Sequence, residues 1–166
     1  SEVAPAFSRF DAYYGQPFLW CMLHNFGGTL GMYGAVNRIN EGATSIYTAR
    51  EERINMLGIG LTPEGIEQND VMYEYMMETT YYFEAPNMTT WFNDYAERRY
   101  GLTDKDLEQA WQSLRVSVYR DPIGLHNHGT YAINRRPRLA YHSPLWYQPA
   151  DLMTALRHFT TFASKN

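Results

Sequence analysis

The chain has a single cysteine in 166 residues, Cys21, so no disulfide can close within it and its redox compartment is not indicated. No run of about 18 apolar residues occurs, and no membrane-spanning helix is expected. Positive charge is also scarce. Fourteen Lys and Arg against eighteen Asp and Glu leave a net charge of −4, with no basic surplus to neutralise a nucleic acid backbone or an anionic membrane. The opening Ser1-Glu2-Val3-Ala4-Pro5 lacks the charged and apolar regions of a signal peptide, so any export signal is expected outside these residues. A strand-turn-helix serine motif is missing, and Cys21 sits inside an apolar run, which argues against a Ser or Cys nucleophile. His24, His126, His128, His142 and His158 have no acidic or thiol partner at ligand spacing, and neither a metal nor a cofactor is expected.

What the chain does have is aromatic surface: 14 Tyr, 4 Trp and 8 Phe, spread over its whole length. Aromatic rings stack on the apolar faces of sugars, although extra core volume is the commoner use of such residues. The first half has the rhythm of βα units. Residues 17–24 form a continuous apolar and aromatic run, the pattern of a strand buried on both faces, which Asn25-Phe26-Gly27-Gly28 breaks. Residues 33–52 accommodate a helix, residues 55–61 form a second short strand, and residues 69–82 a helix with Val71, Tyr75, Met76 and Thr79 on one face. Beyond Ala85-Pro86 the segments read as helices. One covers about 88–100 and a second starts near Thr103, whose hydroxyl is its expected cap, with Leu107, Ala110, Trp111, Leu114 and Val118 along one side. Residues 120–148 read as a long loop, and a last helix opens at Pro149-Ala150-Asp151.

Two βα units cannot close a barrel or protect their own sheet edges. The expected fold is therefore α/β followed by all-α: residues 1–85 as the last βα units of a (β/α)8 TIM barrel, and residues 86–166 as the start of an α-helical domain. A small self-sufficient α/β domain is the alternative. In such barrels chemistry sits at the C-terminal ends of the strands. Two clusters qualify, Trp20 to Gly28 and Thr62 to Asn69. Glu64 draws attention because Pro63 and Gly65 hold it in a turn at the end of an apolar strand. From pattern alone, a helix N-terminal acid favoured by the helix dipole is the commoner explanation, and Glu67 fits that role better.

Two stretches carry a resemblance: residues 14–28, containing Trp20-Cys21-Met22-Leu23-His24-Asn25-Phe26-Gly27-Gly28, and Gly60-Leu61-Thr62-Pro63-Glu64-Gly65-Ile66-Glu67-Gln68-Asn69. They resemble the alpha-N-acetylglucosaminidase family, which includes the lysosomal enzyme of heparan sulfate breakdown and bacterial relatives. The similarity continues in order through Arg98-Arg99-Tyr100-Gly101, Ser117-Val118-Tyr119, His126-Asn127, Arg135-Arg136-Pro137 and Leu145-Trp146-Tyr147. Long motifs of rare residues are far more specific than a short catalytic pattern.

The resemblance implies a retaining exo-glycosidase in which Glu64 is the nucleophile, and the acid/base glutamate comes from an earlier barrel strand with no counterpart here. It implies a sugar pocket lined by Trp20, Cys21, Asn25 and Phe26, with His126 and Trp146 reaching over the barrel mouth. Expected partners are a glycan, the remaining segments of the same enzyme, whether continuous with this chain or separate, and a second copy in a homo-oligomer; nucleic acid is not expected. Asn87-Met88-Thr89 is a glycosylation acceptor pattern, in keeping with a lysosomal or secreted glycoprotein. The opposing expectation is a catalytically silent carbohydrate-binding or scaffold protein built on the same fold.

Overall fold

A computed structural model describes residues 10–25, 32–42, 55–65, 68–82, 84–120 and 146–165. After a short helical turn at Asp11–Tyr14, strand β1 (Phe18–Met22) is followed by helical residues 36–42 (α1), strand β2 (Met56–Leu61) and helix α2 (Asp70–Glu78), which tightens into a 3-10 turn at Thr79–Tyr81. Helices α3 (Met88–Tyr100), α4 (Lys105–Val116) and α5 (Pro149–Lys165) complete the described order. The fold is thus mixed: a small parallel sheet with helices, then helices alone. The connecting part of residues 43–52 and the long segment 121–145 lie outside the described residues.

β1 and β2 pair in parallel, with Leu19 beside Gly58, Trp20 beside Ile59, Cys21 beside Gly60 and Met22 beside Leu61. A parallel pair demands a long crossover, and α1 lies within it. The register separates the two faces of the sheet. Trp20, Met22, Ile59 and Leu61 pack into the core, whereas Leu19 is 56% exposed and Cys21 is exposed beside the two glycines. The continuous apolar run did not reveal this division, because a strand meant to be covered on both faces carries no alternation. Among the described residues the sheet has two strands, and each keeps an open edge.

The helices are set by caps and stripes. Asn87 Oδ1 accepts hydrogen bonds from the Thr89 and Thr90 amides at 2.9 and 3.1 Å, which starts α3, and Gly101 at φ +73° ends it by donating its N–H to the Glu97 carbonyl. The sequence suggested Thr103 as the cap of α4, but Asp104 takes that place: its carboxylate accepts from the Asp106 and Leu107 amides at 2.7 and 3.3 Å. An ionised oxygen makes the stronger bond to a helix N-terminus, and it also meets the positive end of the dipole. Leu107, Ala110, Trp111 and Leu114 are buried along α4, and Val118 is buried in the turn after it.

One apolar cluster runs through both halves, joining Met22, Val36, Val71 and Met72 to Trp91, Phe92, Leu107 and Trp111. The seam is stitched at the backbone, where the Val36 amide donates to the Tyr119 carbonyl at 2.9 Å and Ala35 bridges Arg120. Gly34 makes that approach possible, since a Cβ there would lie 2.7 Å from Met72 Sδ and 2.8 Å from the Tyr119 ring. Tyr119 is buried at the seam, and loss of water pushes its phenol well above the usual range.

Candidate active site

Residues Thr62 to Gly65 leave the end of β2 beside the segment that leaves β1. Hydrogen bonding between the two continues past the ladder: the Thr62 amide donates to the Met22 carbonyl at 3.1 Å, and the Gly65 amide to the Asn25 carbonyl at 3.0 Å. Glu64 lies between these two stitches. Its side chain is exposed and makes no hydrogen bond or ion pair with the described residues. The dipole explanation loses its footing here, because α2 begins only at Asp70, which is itself the first-turn acid, and the dipole acts within one turn. Glu67 lies outside the described residues.

The neighbouring groups form a tight polar knot. Gln68 Nε2 donates to the Asn25 carbonyl at 3.0 Å and to the Gly65 carbonyl at 2.8 Å, while the Tyr73 hydroxyl donates to Gln68 Oε1. Partial burial raises the Tyr73 pKa and keeps it a donor. A side chain at Gly65 would be a tight fit, since a Cβ would stand 3.2 Å from both the Asn25 carbonyl oxygen and Gln68 Nε2 and one of them would have to yield. Deeper in, the Asn69 side-chain amide meets His24 Nε2 at 2.9 Å, and the Tyr119 hydroxyl donates to Asn69 Oδ1 at 3.3 Å. His24, Asn25 and Asn69 are all buried, so these polar groups depend on such partners to offset lost hydration.

The expected site residues divide by location. Glu64 and Asn25 come together at the strand ends, with the Asn25 backbone serving as the acceptor that holds the Glu64 turn. Cys21 lies on the open face of the sheet, its thiol directed over Gly60, where a Cβ would meet Sγ at 2.7 Å. Trp20 points the other way and packs over Gly42 of α1, whose absent Cβ would stand 3.1 Å from the indole ring. Trp146 stands edge-on to Tyr33 at 5.3 Å and donates Nε1 to the Val118 carbonyl at 3.0 Å; Tyr33 in turn stacks on His24 at 5.7 Å. A chain of rings thus links the C-terminal segment to the end of β1. Phe26 and His126, like His128 and His142, lie outside the described residues.

Sequence reasoning passed over Gln68, Asn69, His24 and Tyr119 as site residues. The only available signal was their membership of the same quoted motifs, since 45 positions separate His24 from its partner Asn69. Among the described residues no cluster of three or more His, Cys, Asp or Glu side chains could hold a metal ion, and no helix is long and apolar enough to cross a membrane.

Comparison with known proteins adds a second line of observation. Residues 1–82 match the model of the alpha-N-acetylglucosaminidase TIM-barrel domain, and residues 91–166 match that of the alpha-N-acetylglucosaminidase C-terminal domain. The chain is 36% identical over 165 residues to human alpha-N-acetylglucosaminidase, covering 98% of this chain and 22% of that protein. It is similar in structure to a family 89 glycoside hydrolase from Clostridium perfringens in complex with 2-acetamido-1,2-dideoxynojirmycin, with TM-score 0.77 and 32% identity, over 99% of this chain and 19% of the other. A variant of the Clostridium perfringens protein with two glutamates replaced by glutamine, in complex with its substrate GlcNAc-alpha-1,4-galactose, matches with TM-score 0.74 and 32% identity over 97% of this chain and 19% of that one. The chain therefore spans about a fifth of the length of these relatives.

Proposed function

Because the chain belongs to the alpha-N-acetylglucosaminidase family, we propose that it carries the nucleophile half of the active site of a retaining exo-glycosidase, with Glu64 as the nucleophile. In this reading residues 1–85 are the last βα units of a (β/α)8 barrel and residues 86–166 open the α-helical domain. The substrate is a terminal alpha-linked N-acetylglucosamine, with heparan sulfate-type chains as its polymer and a lysosomal or secreted site of action. The observation that carries the reading is the placement of Glu64: a carboxylate left exposed at the C-terminal end of a parallel strand, on a turn stitched at both sides to the strand beside it.

Retention requires a second carboxyl group about 5–5.5 Å from the first. Glu64 attacks the anomeric carbon as the partner acid protonates the departing oxygen, and the partner then draws a proton from water that releases the sugar from Glu64. That partner comes from a segment outside this chain. The two-glutamate variant of the Clostridium perfringens relative, captured with its substrate, supports a mechanism resting on two carboxylates. Cys21 on the open sheet face, Asn25 at the strand end and Phe26 after it belong to the sugar pocket; Trp20 supports the sheet from the opposite side, and His126 and Trp146 reach over the barrel mouth.

An N-linked glycan on Asn87 belongs to the same reading. Asn87 is exposed, and its helix cap uses Oδ1 alone, so attachment through the amide nitrogen leaves the cap intact.

The test is Glu64→Gln in the complete enzyme, which should lower release of a chromogenic alpha-N-acetylglucosaminide by about 10⁴-fold or more. A variant of full activity sinks the nucleophile assignment. A wild-type protein that binds the sugar and never cleaves it favours the catalytically silent scaffold.

A further inference from the structure

We propose that Gln68 is a positioning residue for the nucleophile, fixing the direction of the Glu64 backbone through the clamp it makes on Gly65 and Asn25; this rests on the reading of Glu64 above. The argument follows the free torsions of the turn. Pro63 locks its own φ near −65° and holds Thr62 in extended backbone. The Thr62 amide is anchored on Met22. The Gly65 N–H belongs to the peptide that leaves Glu64, so anchoring it on the Asn25 carbonyl constrains ψ of Glu64. What remains is rotation of the Gly65 peptides about that single bond.

Gln68 removes this freedom. Its one amide group donates to the Asn25 carbonyl, which already receives the Gly65 N–H, and to the carbonyl of Gly65 itself. Gly65 is then held at both its donor and its acceptor. A carbonyl oxygen has two lone pairs, so Asn25 serves both donors without competition. The carboxamide is oriented in turn by the Tyr73 hydroxyl on its oxygen, which leaves the nitrogen as the only end that can face the two carbonyls. Gly65 permits the contact, as any side chain there would crowd both partners at 3.2 Å. Gln68 itself makes none of the described contacts with the Glu64 carboxylate, so its effect on chemistry passes through the backbone.

Gln68→Met in the complete enzyme keeps the volume of the side chain and removes both donors. Gln68→Glu keeps the acceptor for Tyr73, removes the donors and faces a carboxylate with two carbonyl oxygens. The readout is labelling by a mechanism-based fluorosugar that carries the 2-acetamido group, followed by mass spectrometry of the peptide containing Glu64. Both variants should label at a rate about 10- to 100-fold below wild type, since a misplacement of about 1 Å costs that much in a positioned reaction. The loss should fall on kcat, with KM changed less than about threefold. A purely structural role gives a different pattern: the fraction of molecules labelled falls, and the rate for those that label stays at the wild-type value. That pattern, or wild-type labelling throughout, overturns the proposal while Glu64 remains the labelled residue. Wild-type protein labelled at some other residue overturns the nucleophile assignment and this inference together.

Discussion

Trp91 and Leu57 set the two halves of this chain against each other. Trp91, in α3, is 3% exposed, its ring set against Tyr75, Phe92 and Tyr95, and its Nε1 bonded to Glu78 at 2.6 Å. Leu57, in β2, is as apolar by nature and is 70% exposed. The helical half closes on itself: Gln112 ties α4 to α3 through the Thr89 carbonyl and Asn93, and α5 seals α4 through Phe159 against Trp111 and His158 on Asp106. Among the described residues the sheet half is finished on one face only. Its second face and both edges call for more strands, in keeping with a chain that spans about a fifth of its relatives. A helix needs one apolar partner surface, whereas a parallel strand in a barrel needs two surfaces and two neighbours.

The largest blow to this contrast is Trp91→Ala. Removing a buried ring with a bonded indole nitrogen is expected to destabilise the chain by about 3–5 kcal/mol, read from urea unfolding. Milder is Asp104→Ala, expected to cost about 1 kcal/mol by the same measurement, with Thr103→Ala within about 0.5 kcal/mol. Equal effects at the two positions would contradict the observed cap. Acid tests the contact between α4 and α5 more gently still. Hydrogen bonds from Lys165 and His158 hold the Asp106 carboxyl below the usual carboxylate range, so this link is complete above about pH 4 and is lost as pH falls through the depressed value. Lys165 is raised by the same partner, so its share persists up to about pH 10.4 and disappears only above that. Near-ultraviolet dichroism of Trp111 should follow the acid limb, and Asp106→Asn should flatten it. The smallest expected effect is that of Leu57→Ser, within about 0.5 kcal/mol in this chain. On the proposed barrel, in which further strands would cover the sheet, the same change should cost about 1.5–3 kcal/mol in the complete enzyme. Matching values in both would remove the distinction between a finished half and an unfinished one.

Legibility followed physical range. The helix faces were readable because Val71, Tyr75, Met76 and Thr79 repeat at the helical period within one element, and all four are buried. The strands were readable as apolar runs, but their facing was not, so that Trp20 and Cys21 entered as one pocket and stand on opposite sides of the sheet. Caps failed at the level of one residue, where two good capping side chains stand next to each other and the charged one wins. The meeting of His24 with Asn69, and of Gln68 with Asn25, depends on two parallel strands being brought side by side by a crossover, and no local pattern encodes that. The proposed role of Glu64 rests on the extended motif around it. Its pattern alone suggested a helix-terminal acid, which the start of α2 at Asp70 does not support.

The stitches at Thr62 and Gly65 also have a consequence for time. A carboxylate on an ordinary surface loop wanders on the nanosecond to microsecond scale of loop motion. Here the backbone on either side of Glu64 is bonded to the end of β1, so the turn is an extension of the sheet. Large excursions of Glu64 then require the two strand ends to part, a local opening far rarer than loop fluctuation. What is held is the backbone that carries the carboxylate, tied on both sides to the segment leaving β1.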